Sequence, residues 1–206
     1  MPRSLLPQIY DIAEQQFGYV TTAQAVTASI RPNALVLMAR RGMLERVSRG
    51  VYRLVSYPSS PFDEYMESVL WPQGGMRGVI SHASALVFHG LSDVSPAKTP
   101  VTLPLSYRVR RRAPPHLVIH YDPLGPQDVA KVNGIHVTTP LRTIRDAIAD
   151  HLSPTLIRQA IADGRRHAGL RERDEAALLQ QMEAALLQQM EAAPTARHDK
   201  NAPRRA

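Results

Sequence analysis

Residues 31–54, RPNALVLMARRGMLERVSRGVYRL, hold a helical period, a glycine, and then a strand-like pattern. Over residues 32–41, Leu35, Met38 and Ala39 fall on one side of a helical wheel. Asn33, Val36, Leu37, Arg40 and Arg41 fall on the other. Pro32 suits the first helical turn, where its missing N–H costs nothing, and Gly42 suits the stop. Leu44 to Val47 and Val51 to Leu54 then read as paired strands. The loop between them is Ser48-Arg49-Gly50, with glycine where a positive φ is usual. A helix with a cationic outer face, followed at once by a hairpin with arginine at its tip, is the layout of a winged helix-turn-helix. Such a helix is sized for the DNA major groove, and the hairpin tip can touch the backbone or the minor groove.

Upstream, Leu5, Leu6, Ile9, Ile12 and Ala13 recur at helical spacing, with Phe17 just beyond; Ser4 can cap the start and Gly18 can end it. Tyr19 and Val20 read as a short link. Thr21-Thr22-Ala23-Gln24 has the form of a capping box opening a second helix over about 22–28, with Ala25 and Val26 turned inward. Ser29-Ile30-Arg31 is the turn into the third helix. Residues 1–56 carry Arg3, Arg31, Arg40, Arg41, Arg46, Arg49 and Arg53 against only Asp11, Glu14 and Glu45. A charged outer face is by default a solvated surface. Here the charge gathers on the two elements that would meet DNA, which favours nucleic-acid binding. Base contacts are expected from Asn33, Leu37 and Arg40, and phosphate contacts from Arg31, Arg41 and Arg49.

The whole chain agrees with that reading. Among 206 residues, 25 Lys and Arg outnumber 18 Asp and Glu, and 44% hydrophobic content is enough for a packed core. Most of the cations are arginine, the side chain suited to bidentate contact with phosphate and guanine. The net charge of +7 favours a polyanionic partner. The absence of cysteine excludes disulfides, thiolate catalysis and cysteine-based zinc sites. No signal peptide or membrane-length apolar run is visible, so a cytoplasmic protein with no membrane partner is expected.

Downstream, SYPSSP at 56–61 is a Pro/Ser linker and the expected domain boundary. Asp63 to Leu70 reads as a helix burying Tyr65, Met66, Val69 and Leu70, and Pro72 to Gly78 as a loop. In ISHASALVFHGL, 80–91, Ser81 caps a helix that Gly90 stops, with Leu91 folding back. His82 and His89 are seven apart, a poor spacing for zinc, and read as capping and packing residues. Thr99–Leu103 and Leu117–Tyr121 are strand-like. Between them lies the densest basic run, holding Arg108, Arg110, Arg111 and Arg112. It is by default a solvated loop, with a second anion-contacting surface or a protein-binding patch as alternatives. Ile135-His136-Val137 is a strand after an Asn133-Gly134 turn. It leads into a helix with Pro140 at its start, an apolar stripe of Leu141, Ile144, Ala147 and Ile148, and Arg142, Arg145, Asp146 and Asp150 on polar sides. Another helix runs from Thr155 to about His167, opened by Ser153-Pro154. Residues 175–190 repeat EAALLQQM twice. They form a helical tail with Leu178, Leu179, Met182, Leu186 and Met190 as a rough stripe, followed by a polar end from Pro194.

No catalytic constellation is visible. There is no Walker A, no dinucleotide glycine fingerprint, no HExxH and no GxSxG, so no catalytic residue, cofactor or metal is expected. Asp63, Asp93, Asp122, Asp128 and Asp146 read as scattered. Asp122 with Lys131 offers only a strained match to a nuclease pattern.

Three segments taken together resemble the AbiEi-type antitoxin family of type IV toxin–antitoxin systems: RRGMLERVSRGVYRL, SHASALVFHGL and NGIHVTTPLRTIRDAIAD. The resemblance spans residues 4 to about 150. It implies a winged helix that represses its own operon by binding promoter DNA. It also implies a second domain that counteracts a nucleotidyltransferase toxin, and no catalytic residues. The expected fold is α+β: an N-terminal winged helix-turn-helix over 1–57, a mixed α/β antitoxin domain over 58–172, and a helical repeat with a disordered tail over 173–206. The chain departs from longer members of that family by ending its ordered pattern soon after residue 170, apart from the repeat. Three other readings remain: a stand-alone winged-helix regulator without a toxin, a protein that works chiefly by binding its toxin, and a nuclease. Whether the two proteins touch, and the oligomeric state, are open at this point.

Overall fold

The computed structural model describes residues 5–72, 77–94 and 96–192. It is an α+β fold, with a three-stranded winged helix-turn-helix leading into a mixed five-stranded sheet and a helical end. The expected Ser4 cap, Arg3, part of the glycine-rich loop (73–76) and the polar end from Pro194 lie outside the described residues.

In the first part, α1 (Leu5–Ala13) runs through a 3₁₀ turn (Glu14–Gln16) into β1 (Tyr19–Thr21). Helix α2 (Thr22–Thr27) opens with the capping box read from sequence: the Gln24 N–H donates to Thr21 Oγ1 at 3.2 Å, and the Thr21 N–H donates to Gln24 Oε1 at 2.9 Å. Helix α3 (Pro32–Arg40) then precedes β2 (Leu44–Ser48) and β3 (Val51–Leu54). Ile9, Val20, Ala25, Leu35, Leu44 and Leu54 close a core between the three helices and the hairpin. Burying a side chain such as Leu35 completely stabilises by roughly 1.5–3 kcal/mol.

Three local expectations are corrected here. Tyr19 and Val20 are not a link but strand β1, which pairs antiparallel with β3 in the order β1-β3-β2. Three residues are too few to display a period, so only the partner strand reveals them. The hairpin loop is two residues, Arg49-Gly50, because Ser48 pairs with Val51 across a bulge that absorbs Val47. Val26 is 55% exposed, one helical step of about 100° from the buried Ala25, so it cannot share that inward face.

The second part begins with α4 (Asp63–Leu70), β4 (Val79–Ile80), α5 (His82–Phe88), β5 (Thr99–Leu103) and β6 (Leu117–Tyr121). It continues through β7 (Val129–Val132), β8 (Ile135–Thr138), α6 (Pro140–Ala149), α7 (Pro154–His167) and α8 (Glu172–Ala192). The sheet order is β6-β5-β4-β8-β7; β6 runs parallel to β5 and β4 parallel to β8, and the other pairs are antiparallel. Strand β7 was not expected, because Val129–Val132 is half-exposed and becomes a strand only by pairing with β8. Leu91 does fold back at the end of α5: its N–H donates to the Leu86 carbonyl at 2.8 Å, and its side chain is buried.

The two parts share a core across the 56–61 segment. Tyr19 and Val51 of the winged-helix sheet pack with Met66, Val69, Leu70 and Trp71. Phe17 meets Phe62 with ring centres 5.5 Å apart, and Phe62 meets Phe88 at the same distance. Arg53 ties the junction by an ion pair to Asp63 at 3.1 Å and a hydrogen bond to the Pro58 carbonyl at 2.8 Å. That arginine is therefore structural.

The helical end forms a separate cluster in which Ile144, Ile148, Ile157, Ile161, Leu178 and Met182 interlock. Within α8 the first EAALLQQM copy is buried through Leu178 and Met182, but Leu187 is 61% and Met190 74% exposed. Met190 therefore does not join the stripe expected of it. An eight-residue offset turns a helix about 80° beyond two full turns, so the second copy carries Leu187 and Met190 off the packed side, while Ala185 and Leu186 stay against it.

Candidate nucleic-acid interface

Helix α3 reaches solvent because its two faces differ in what they bury. Leu35 and Met38 insert into the winged-helix core, while Asn33, Leu37 and Arg40 share the opposite, exposed face, with Val36 half-buried beside them. Arg31 occupies the cap position in an extended conformation and supplies no side-chain cap; its carbonyl accepts from the Ala34 N–H at 2.8 Å. Arg41 lies exposed at the other end. Leu37 is 43% exposed, an apolar spot of the kind that meets a thymine methyl.

Beside this face the wing builds the second wall of a groove of about 590 Å³. Asn33 and Val36 line it from α3, Arg46, Arg49 and Tyr52 from the hairpin, and Leu70 and Arg77 from the second part of the chain. All six sequence-derived residues, Arg31, Asn33, Leu37, Arg40, Arg41 and Arg49, are exposed. Only Asn33 and Arg49 of them line the groove. The side chains of Arg31, Arg40, Arg41, Arg46 and Arg49 make no hydrogen bond or ion pair with any described residue. Unpaired guanidiniums on a rigid scaffold lose no internal partner when they meet a phosphate.

Sequence reasoning missed Arg46 and Arg77 as groove residues. Arg46 was visible as a basic position in β2, but its direction depends on the bulge next to it. Arg77 is half-buried and donates to Gln16 Oε1 at 3.2 Å, a contact between distant segments that no local pattern announces.

The basic run divides into two kinds of arginine. The Arg111 guanidinium lies 4.0 Å from the centre of the Trp71 ring and donates to the Trp71 carbonyl. Arg108 lies 4.3 Å from the Tyr121 ring centre. Arg110 and Arg112 are exposed, without a hydrogen bond or ion pair to a described residue.

Elsewhere a charge cluster corrects the expectation that the aspartates are scattered and that Asp146 lies on a polar side. Asp122, Asp128 and Asp146 converge on Arg142; Asp146 is only 6% exposed and accepts from Arg142 Nε at 2.6 Å. Burial is the largest influence on the Asp146 carboxyl and raises its pKa even with Arg142 beside it. Burial also works to lower the Arg142 pKa, but the Asp146 hydrogen bond and the three negative charges outweigh it and the net shift is upward. An arginine fills the centre of this cluster, where a nuclease would need a cation. Lys131, the other half of the strained nuclease pattern, sits on β7 at the sheet edge opposite β6 and Asp122.

His89 donates through Nε2 to the Thr138 carbonyl at 2.7 Å. His82 stacks on His120 with ring centres 3.8 Å apart. Burial first, and His120 second, push the His82 pKa down to about 4. Both therefore act as packing residues, and among the described residues no group of three or more His, Asp or Glu could hold a metal. Nor, among them, is any helix long and apolar enough to cross a membrane.

No curated protein matches the chain. Among solved structures, the crystal structure of the RV2827C protein from Mycobacterium tuberculosis matches at 18% identity and a TM-score of 0.41, covering 84% of this chain and 80% of that one. The family model described as a transcriptional regulator, AbiEi antitoxin, matches residues 7–55, which run from α1 to the residue after β3. Over that segment the chain is similar to the AbiEi antitoxin family of transcriptional regulators.

Proposed function

We propose that this chain is an antitoxin that represses its own promoter through α3 and the wing, and that counteracts a partner nucleotidyltransferase toxin. The observation that carries the reading is the set of unpaired arginines on α3 and the wing, inside the segment that matches the regulator family. In this proposal Asn33, Leu37 and Arg40 read base edges, and Arg31, Arg41 and Arg49 hold phosphates. Residues 1–57 form the DNA-binding unit, 58–172 the antitoxin unit, and 173–206 a tail. No chemical step is part of the proposal. Because the family match ends at residue 55, a stand-alone regulator without a toxin is the second reading.

An electrophoretic shift on the native promoter tests the DNA half. Losing a bidentate arginine–guanine contact costs ~1–3 kcal/mol. Arg40→Ala is therefore expected to weaken the specific complex by roughly tenfold or more, while Arg49→Ala weakens promoter and random duplex alike. Unchanged affinity in an Arg40→Ala/Arg41→Ala variant would remove α3 as the reader. Co-expression with the product of a neighbouring nucleotidyltransferase gene tests the antitoxin half: restored growth supports it, and continued arrest favours the stand-alone regulator.

A further inference from the structure

The segment that follows β5 comes back to the wing. A cleft of about 460 Å³ is lined by Arg49 at the wing tip and by Tyr107, Arg108, Arg110 and Arg111 from that segment, and no carboxylate lines it. The segment is anchored at its base. Besides the two stacked arginines, the Val109 N–H donates to the Tyr121 hydroxyl at 3.2 Å, and the Tyr107 hydroxyl donates to the Pro72 carbonyl. Arg111 is thus spent on the Trp71 ring and carbonyl and Arg108 on the Tyr121 ring, whereas the Arg110 and Arg112 side chains are exposed, without a hydrogen bond or ion pair to a described residue. Burial chiefly, with the Arg49 charge adding to it and Tyr107 opposing, lowers the Arg111 pKa, so the wing tip and the segment are close enough to feel each other. Like charges gathered without a counter-charge raise the energy of the free protein, and an anion between them relieves that penalty.

We infer that Arg110 and Arg112 make a second set of phosphate contacts on the same duplex that α3 and the wing hold. The inference rests on the DNA-binding reading above. The shared core of Tyr19 and Val51 with Met66 and Trp71 fixes the segment relative to the wing, so the two cationic surfaces approach one partner as a unit. The division of labour within the basic run is specific: Arg108 and Arg111 stack on aromatic rings, and Arg110 and Arg112 face the duplex.

The full-length chain, its Arg110→Ala/Arg112→Ala variant and its Arg110→Lys/Arg112→Lys variant are titrated by fluorescence anisotropy against a labelled promoter duplex and a scrambled duplex. Salt is varied from about 50 to 200 mM. The alanine pair is expected to bind both duplexes about tenfold more weakly and to show a plot of log affinity against log salt shallower by about 2. The lysine pair is expected to keep the wild-type slope, and all three proteins the same Tm. If the alanine pair melts early, Arg110→Gln/Arg112→Gln takes its place in the same comparison. An unchanged slope while the wild type binds overturns the inference. So does a loss confined to the promoter duplex, because phosphate contacts carry no sequence information. Failure of the wild type to bind either duplex overturns the DNA-binding reading and this inference with it. Altered specificity in α3 variants alongside equal slopes in the Arg110 and Arg112 variants overturns this inference alone.

Discussion

Replacing Arg142 by alanine is expected to destabilise the chain by about 3 kcal/mol at neutral pH, and by less as the pH falls. Removing one partner of a buried pair typically costs roughly 3–5 kcal/mol, because the other charge stays behind without compensation. The lower end applies here, since Asp122 is half-exposed and its contact is screened by water. Most of the loss comes from Asp146, whose carboxylate would keep its burial and lose its hydrogen bond.

The pH dependence follows from the direction of the Asp146 shift. Its pKa is raised in the folded chain, burial being the main cause, so the ionised form already costs stability there. For an acid shifted this way, the cost is absent below the unfolded pKa, grows as the pH rises through the interval up to the folded pKa, and is constant above it. Arg142 is what pulls that pKa down, so its removal raises the carboxyl further and widens the interval upward. Urea denaturation of wild type and Arg142→Ala at pH 8 and pH 5 reads the effect directly. The deficit should be smaller at pH 5, and Asp146→Asn placed on top of Arg142→Ala should recover part of it at pH 8. Equal deficits at both pH values would mean that Asp146 is not the burden.

Gly18→Ala is expected to cost about 3 kcal/mol, against about 1 kcal/mol for Gly42→Ala. Both glycines have left-handed backbones, with φ of +84° and +72°, so both variants carry the same conformational penalty of roughly 1–2 kcal/mol. They differ in the space around them. A Cβ on Gly18 would lie 2.6 Å from Tyr57 Cβ, whereas one on Gly42 meets nothing within 4 Å. Tyr57 cannot simply swing away: the atom struck is next to its backbone, and its hydroxyl donates to the Glu14 carbonyl at 3.3 Å. Denaturation of the two variants side by side therefore isolates the contact between the α1–β1 corner and the segment after the wing. Equal losses would show that Tyr57 yields.

These two sites differ in how far they could be read in advance. Pattern alone places both Gly18 and Gly42 at helix stops. The α3 wheel, the Thr21–Gln24 capping box, the limits of β5 and β6, and the proline-opened α6 and α7 were legible for the same reason: each depends on residues within one or two turns of each other. Tyr57 as the neighbour of Gly18 was not legible, nor was the meeting of Asp122, Asp128 and Asp146 around Arg142. The second half of α8 shows a local pattern overruled in part, since Leu187 and Met190 turn away from the side that α6 and α7 cover.

Helical period, glycine stops, capping and the density of arginine were therefore set in the chain itself, and with them the winged helix and its cationic outer face. They arise from backbone sterics and nearest-neighbour hydrogen bonds, which do not wait for the rest of the molecule. Tertiary structure alone decided that β1 and β7 are strands, that Arg53 and Arg142 are internal ties, and that Arg49 meets Arg110 and Arg111 across one cleft. Those outcomes depend on which distant segments the packed core brings together, and a charge is free or consumed only once its neighbours in space exist.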